Sequence, residues 1–458
     1  MSSTAATVRP SRVASPAPAL PPVVGADLRV PLVTGGDVAY ANLDHAASAP
    51  CLQAVRDAVD EVLPWYASVH RGAGLLSQAS TRIYENARET VRRFVDAPSD
   101  HDVVFTRNTT DALNLVAAVL PAETVVVTFD ADHHAALLPW GGHRVRRIRA
   151  PRSADEAVAV ADAELAALVA DGARVAVVLT AASNVTGELW PVAELAEVSR
   201  RHGALSVLDA AQWAPHRPVS VSDLGVDFLA FSGHKVYAPF GCGALAGPAH
   251  LLRSARPYLR GGGASTLVES VGADLRVTWA DGVERQEAGT PNVVGAHALA
   301  VACDTLSAHW RGVVEHEDRL ARALREGIAT VPGTRPLRLF DGNGPSVGVV
   351  SFGVDGTDPA LVAAVLSAEY GIGVRDGAFC AHVATERLLA RAGAGGRRAV
   401  RVSVGLGSTE EHVERLLAAL RAVASSGPAW SYAQRDGRWV PVPDPRPVPA
   451  GLPWGGAA

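Results

Sequence analysis

The sequence predicts an α/β protein, with a large domain on a mostly parallel sheet followed by a smaller α+β domain. Between about residues 36 and 292, short β-branched runs alternate with amphipathic helical stretches, the pattern of a parallel sheet covered by helices. Several of those runs stop at a polar cluster, as strands do when their carboxyl ends border a site. After Asn292 the rhythm changes to one long helical stretch, then strands and helices in mixed order.

Residues 1–35 are rich in Ala, Pro, Ser and Val without periodicity and read as a disordered arm. The large domain is expected over 36–292, with roughly its first 30 residues packing near the small domain. Val103–Thr106 runs into a helix whose first turn holds Thr109, Thr110 and Asp111. Thr124–Phe129 leads to DADHH, and Arg174–Leu179 leads to TAASNVTG. Leu205–Leu208 leads to Asp209 and Gln212, and Phe228–Phe231 leads to SGHK, ending at Lys235. In an open parallel sheet these clusters converge on one site. The small domain, 293–424, is expected to hold a helix over Val293–Ala329, a strand over Val347–Phe352 and a helix over Pro359–Tyr370. The loop GVRDGAFCAH follows, then a strand over Ala399–Val404 and a last helix starting at Ser408, with Glu411 completing a capping box. Residues 425–458 form a Pro-rich tail, whose stretch PVPDPRPVPAGLPWGG is extended and cannot be helical.

Composition narrows the chemistry. A charged fraction of 19% with 48% hydrophobic residues describes a globular chain. A net charge of −5 gives no reason to expect nucleic acid as a partner. No apolar run reaches membrane-spanning length and prolines break up the N-terminal segment, so a cytoplasmic protein is expected, with no membrane partner. The four cysteines, Cys51, Cys242, Cys303 and Cys380, are far apart and form neither a disulfide framework nor a zinc ribbon. Asp130, Asp132, His133 and His134 lack helical ligand spacing, so no metal is expected. Of 42 basic residues, 41 are arginine and one is lysine, Lys235. A guanidinium does not give up its proton, whereas an amine can do so and attack a carbonyl.

A Schiff-base lysine serving pyridoxal 5′-phosphate needs a carboxylate at the pyridine nitrogen and a phosphate cradle. Asp209 suits the first requirement, and Gln212 can donate to the ring hydroxyl oxygen. Ser232 and His234 flank Lys235, while Thr109 and Thr110 open a helix whose N–H groups and dipole favour an anion. Each has an ordinary structural reading: Asp209 as a loop cap, Thr109 and Thr110 as helix caps, His234 as a surface turn. The cofactor reading rests on their occurring together in this order.

From LDHAASAP at Leu43 to about Ala422 the chain resembles the class V, fold type I pyridoxal-phosphate enzymes, in their cysteine desulfurase and selenocysteine lyase branch. The resemblance is carried by HRGAGLLSQAS, FTRNTTDALNLV, DADHHAALLPW, SNVTGELWPV, LDAAQWAPH, FSGHKVYAPFGCGAL, EAGTPN and VRDGAFCAH. It implies a seven-stranded-type sheet, with Lys235 carrying the cofactor and Asp209 meeting its pyridine nitrogen. Gln212 and Asn184 would contact the ring oxygen or the substrate, and His133 would stack on the ring and move protons. Thr290 would reach the phosphate of a partner subunit, implying a homodimer. Arg401 would grip the carboxylate of a small amino-acid substrate, with His70 and Arg375 also at the substrate.

By the same resemblance Cys380, five residues after Arg375 in a Gly-containing loop free to move, would take sulfur from L-cysteine as a persulfide and pass it to an acceptor protein. Two departures bear on that step. The family's Gly-His-His before the cysteine is Gly377-Ala378-Phe379 here, which removes local proton donors. A glycine-rich insertion, Gly393–Gly396, is expected to alter access. Two alternatives stay open: class V chemistry that does not use Cys380 (C–S lyase β-elimination, transamination or epimerisation), and a catalytically inactive cofactor-binding regulatory or sulfur-relay protein.

Overall fold

The computed structural model describes residues 19–447. At its centre is a seven-stranded sheet in the order His101–Thr106, Gly243–Pro248, Phe228–Ser232, Leu205–Asp209, Val175–Thr180, Val125–Phe129, Arg144–Ile148. Gly243–Pro248 is antiparallel to both neighbours, and the other pairings are parallel. The inner strands VVVTF, VAVVLT and FLAFS are buried throughout, as a sheet covered on both faces requires.

Two strands escaped the sequence reading for opposite reasons. Arg144–Ile148 (RVRRI) is an edge strand, so its arginines face solvent and mask the apolar signal. Gly243–Pro248 (GALAGP) has the low side-chain volume of a loop, yet it is fully buried. A Cβ on Gly243 would stand 2.7 Å from Phe231 O and 2.8 Å from Asn108 Cα, so close packing demands the glycine.

The small domain is an antiparallel four-stranded sheet in the order Thr334–Pro336, Val349–Val354, Ala399–Ser403, Arg375–Gly377, with helices Pro359–Tyr370 and Glu410–Ser426. The expected boundary at 292/293 needs correction. Helix Val293–Ala329 belongs to both domains: Ala296, Leu299, Cys303 and Val313 pack in the large-domain core, whereas Leu320, Leu324 and Ile328 pack in the small-domain core. At 1.5 Å per residue it spans roughly 55 Å and serves as a shared spine. The last helix is capped by Thr409, whose side chain accepts from His412 N, one residue beyond the expected Ser408. Ser408 Oγ instead accepts from Gly405 N at 3.1 Å.

The termini are also more ordered than expected. Within the expected arm, residues 19–35 fold onto the protein: Val23 and Val33 are buried, Arg29–Pro31 pairs with Asp37–Ala39, and Val33 N donates to Ala368 O. Strand Ala41–Asn42 pairs with Ile372–Gly373, which ties this segment to the small domain. Backbone pairing and a few buried side chains suffice over so short a stretch, and neither leaves a period in sequence. At the other end, helix Glu410–Ser426 overruns the expected tail boundary, and Tyr432–Arg435 pairs with Arg438–Pro441. Its turn, Asp436-Gly437, has both residues at positive φ (48° and 73°), the geometry that Asp-Gly favours in hairpins. Residues 1–18 and 448–458 of the expected arm and tail lie outside the described residues.

Buried Glu369 holds this hairpin by accepting from Ala429 N, Trp430 N and the Tyr432 hydroxyl at 3.0–3.1 Å. Glu369→Ala would orphan all three donors. The expected loss is about 2–3 kcal/mol in chemical denaturation, with new proteolytic cleavage confined to residues 427–447. Unchanged stability and cleavage would show that the hairpin is held otherwise.

Candidate active site

The carboxyl ends of the parallel strands meet the small domain at a cavity of about 550 Å³. Lys235 sits there, in the turn after strand Phe228–Ser232, half-buried in the wall of the cavity. Burial pushes its pKa from the usual lysine range down to about 8, opposed chiefly by Asp209. Asp209 ends its strand, in register with Thr180 on one side and Ala230 on the other. One carboxylate oxygen accepts from Ala211 N at 2.9 Å, and burial raises the pKa against the lowering effect of Lys235.

Gln212 presents a different group from the one expected. Its Nε2 donates to Ala46 O at 2.8 Å, which leaves Oε1 buried without a partner, an acceptor awaiting a donor. Across the cavity, Thr109 opens helix Thr109–Val119, and its N–H and hydroxyl meet Ser232 Oγ at 2.8 and 2.7 Å. Thr110 and His234 also line the cavity, with the His234 ring neutral because burial takes its pKa to about 4. Helix terminus and hydroxyls form a cradle for an anion. His133 caps the helix His134–Leu137: its Nδ1 accepts from Ala135 N at 3.0 Å, so the neutral ring carries its proton on Nε2. Burial and Lys235 lower its pKa to about 3.

The small domain contributes the other wall. Arg401, mid-strand in Ala399–Ser403 and 4% exposed, donates to Asn184 O at 3.1 Å and to Asp44 at 3.2 Å. Its guanidinium lies 5.1 Å from the centre of the Phe379 ring, and its Nε is buried without a partner. Arg375 is its cross-strand neighbour in the same cavity. Cys380 is exposed and lines this cavity too.

The turn that carries Cys380 is held rather than loose. Phe379 and Cys380 both adopt left-handed backbone (φ 54° and 53°), a conformation non-glycine residues take only when neighbours enforce it. Two large-domain groups do so: Asn184 Nδ2 donates to Phe379 O at 2.7 Å, and His134 N donates to Cys380 O at 2.8 Å. Ala381 N closes the turn on Ala378 O. Local proton donors are not missing either. His134 and His382 pack edge to face, with ring centroids 4.6 Å apart beside this turn. The Gly393–Gly396 stretch follows helix His382–Arg391 and does not line the cavity.

His70 and Thr290 do not join Lys235 within one chain. They line a second cavity of about 1000 Å³ with Gly262, Gly263 and the Arg88–Glu287 ion pair. Three residues at the site were missed as contributors: Asp44, Phe379 and Asp132. Buried Asp132 accepts from Phe129 N and the Thr180 hydroxyl, and burial raises its pKa to about 7. Its place in DADHH, one residue before His133, was the available signal. Among the described residues no group of three His, Cys, Asp or Glu side chains is arranged to hold a metal ion, and no helix is long and apolar enough to cross a membrane.

Residues 41–416 match the sequence profile of the family described as Aminotransferase class-V. The chain belongs to the class V aminotransferase family. Within it, the chain is similar to a probable cysteine desulfurase of Vibrio cholerae, 35% identical over 85% of this chain and 94% of the relative. Probable cysteine desulfurase 2 of Mycobacterium leprae is 36% identical over 85% of this chain and 92% of its own. Among solved structures, the apo cysteine desulfurase of Thermococcus onnurineus superposes with a TM-score of 0.73 at 32% identity, covering 84% of this chain and 94% of that one. The Escherichia coli cysteine desulfurase CsdA, solved in an S-sulfonic acid form, gives 0.68 at 30%, covering 83% and 94%. The protein is therefore a cysteine desulfurase-like enzyme of the class V family with its fold.

The depressed pKa of Lys235 is directly checkable. In apoprotein treated with a small aldehyde and cyanoborohydride, capture at Lys235, mapped by peptide mass, should rise with pH to a midpoint near 8. Below that pH the amine is protonated and unreactive. A midpoint above about 10, the range of an exposed lysine, would contradict the burial described here.

Proposed function

We propose that this class V enzyme binds pyridoxal 5′-phosphate on Lys235 and transfers sulfur from L-cysteine to Cys380, releasing L-alanine. The observation that carries the reading is the shared cavity, where a half-buried amine at the strand ends and an accessible thiol from the other domain face one space with Arg401. The residues present fit the cofactor. Gln212 Oε1 is a buried acceptor lacking a donor, and the Thr109 helix terminus with Ser232 suits a phosphate. Asp209, a buried carboxyl group with Lys235 near it, suits a protonated pyridine nitrogen. When bound, pyridoxal phosphate supplies an electron sink for charge developing on substrate carbons.

The chain's own groups supply the rest. Arg401 holds the substrate carboxylate through its guanidinium, kept in place by Asn184 O, Asp44 and the Phe379 ring. Arg375 adds positive charge at the same wall. Lys235, with its lowered pKa, takes the proton from the substrate Cα as a general base. The Cys380 thiolate attacks the substrate sulfur: an S–S bond forms, the Cβ–S bond breaks with its electron pair left on Cβ, and protonation of Cβ, with return of the proton from Lys235 to Cα, gives alanine. His133, neutral with Nε2–H and lining the cavity, would move protons there. The persulfide then passes to an acceptor thiol, for which a small acceptor protein in the cytoplasm is the natural partner.

His70 and Thr290, set apart from Lys235 within one chain, support a homodimer in which the second cavity meets the partner's cofactor site. Thr290 would then reach the partner's phosphate cradle and His70 its substrate.

Two outcomes separate this reading from its rivals. Cys380→Ala should keep the cofactor's visible absorbance while alanine formation from L-cysteine with a reductant falls at least about 100-fold, the scale of losing a nucleophile. Full activity in that variant, or pyruvate as the main product, would overturn persulfide transfer in favour of elimination. Turnover that depends on an added ketoacid would instead assign transamination.

A further inference from the structure

A concentration of unpaired positive charge lies away from the Lys235 cavity, against the C-terminal half of helix Val293–Ala329. A cavity of about 710 Å³ is bounded there by this helix, by the 336–346 segment and by the turn at Thr186. Arg322 and Arg325, one turn apart on the helix, line it with Arg338 from the facing segment. Their hydrogen bonds go to neutral oxygens: Arg325 to Ser346 Oγ, and Arg338 to Gly342 O at 2.8 Å and Asn343 Oδ1 at 2.9 Å. None of the three forms an ion pair within 4.0 Å among the described residues.

The carboxylates of the wall, Glu188 and Glu326, form no ion pair with them. Glu188 is buried and engaged by Leu339 N at 2.5 Å and Phe340 N at 3.2 Å, and Glu326, which also lines the cavity, is exposed. Nearby Asp318 is paired with Arg217 at 2.6 Å. Burial, then the like charge of Arg338, pushes the Arg325 pKa below the usual guanidinium range, against the opposing pull of Asp318 and Glu188.

A second, independent feature points to a ligand. Thr186 is 6% exposed, lines the same cavity, and its hydroxyl has no hydrogen-bond partner. Buried hydroxyls are almost always satisfied, and the residue that carries this one borders a space large enough for a metabolite. Its position is rigid. Gly187 next to it has φ +75°, and a Cβ there would stand 2.6 Å from Val349 O. Forked guanidiniums with a hydroxyl donor are the complement of an anion carrying several oxygens.

We propose that this cavity binds a small multivalent oxyanion, a phosphorylated or polycarboxylate metabolite, held by Arg322, Arg325, Arg338 and the Thr186 hydroxyl. None of these four lines the Lys235 cavity, so the site is separate from that of the cofactor. It is nonetheless close in structure: Thr186 shares its turn with Asn184, which lines the Lys235 cavity and accepts from Arg401.

The test uses cofactor-loaded protein, whose Lys235 cavity is filled. It is titrated by calorimetry with pyrophosphate and, in parallel, with citrate at constant ionic strength. Saturable binding of at least one is expected, weakened about tenfold or more in the double variant Arg322→Gln, Arg325→Gln, as loss of charged hydrogen bonds implies. Thr186→Val, which keeps the side-chain volume, should also weaken it and covers the case that the double variant does not fold. Tighter pyrophosphate binding would assign a phosphorylated ligand, and tighter citrate binding a polycarboxylate. Absence of saturable binding for both probes, or unchanged affinity in both variants, overturns the proposal.

Discussion

The site depends on one electrostatic constraint, a primary amine held largely out of water at the carboxyl edge of a parallel sheet with a buried carboxylate as its main compensating charge. Taking Lys235 from the usual lysine range to about 8 corresponds to a cost of about 3 kcal/mol for keeping it charged. A structural ammonium would seldom be kept on those terms. An amine that must be free to react near neutral pH needs them. Asp209 tolerates burial because Ala211 N and Lys235 stabilise its anion, and its place at the end of Leu205–Asp209 fixes the distance between the two elements.

From that constraint the two-domain architecture follows. The large domain alone supplies the amine, the carboxylate and the Thr109 helix terminus, but not the guanidinium that the proposed reaction needs opposite them. Arg401 and Cys380 come from the small domain, and the join is made by specific hydrogen bonds rather than by apolar packing alone. Arg401 reaches Asn184 O and Asp44, while the Phe379 and Cys380 carbonyls receive Asn184 Nδ2 and His134 N. Phe379 gives Arg401 an apolar ring face to lie against. The long helix Val293–Ala329 keeps the two halves in alignment, because it is packed into both cores.

Much of this was legible in the sequence, for identifiable reasons. Buried parallel strands announce themselves as unbroken β-branched runs, and their polar endings locate a site before any coordinates exist. The absence of other lysines made Lys235 conspicuous. What stayed hidden was information that sequence order does not hold. The donor direction of Gln212 depends on Ala46 O, and the restraint on Cys380 depends on His134 and Asn184, hundreds of residues away. Gly243–Pro248 is a strand because Phe228 and Asn108 crowd it, not because of its own propensity. The Asp-Gly of the C-terminal hairpin was readable, and the prolines around it drew attention away. His70 and Thr290 find company only in a cavity apart from Lys235, which a single chain's sequence cannot reveal.

The central claim is that position 235 requires an amine and not merely a positive charge. Lys235→Arg isolates that difference, since the guanidinium keeps the charge but cannot bond covalently to the cofactor's aldehyde. The decisive measurement is the mass of the protein after borohydride reduction in the presence of pyridoxal phosphate, read beside alanine formation from L-cysteine. The wild-type chain should gain one reduced cofactor at Lys235, and the variant should gain none there and form no alanine above background. A variant that still carries covalent cofactor at this site and turns over would contradict the account.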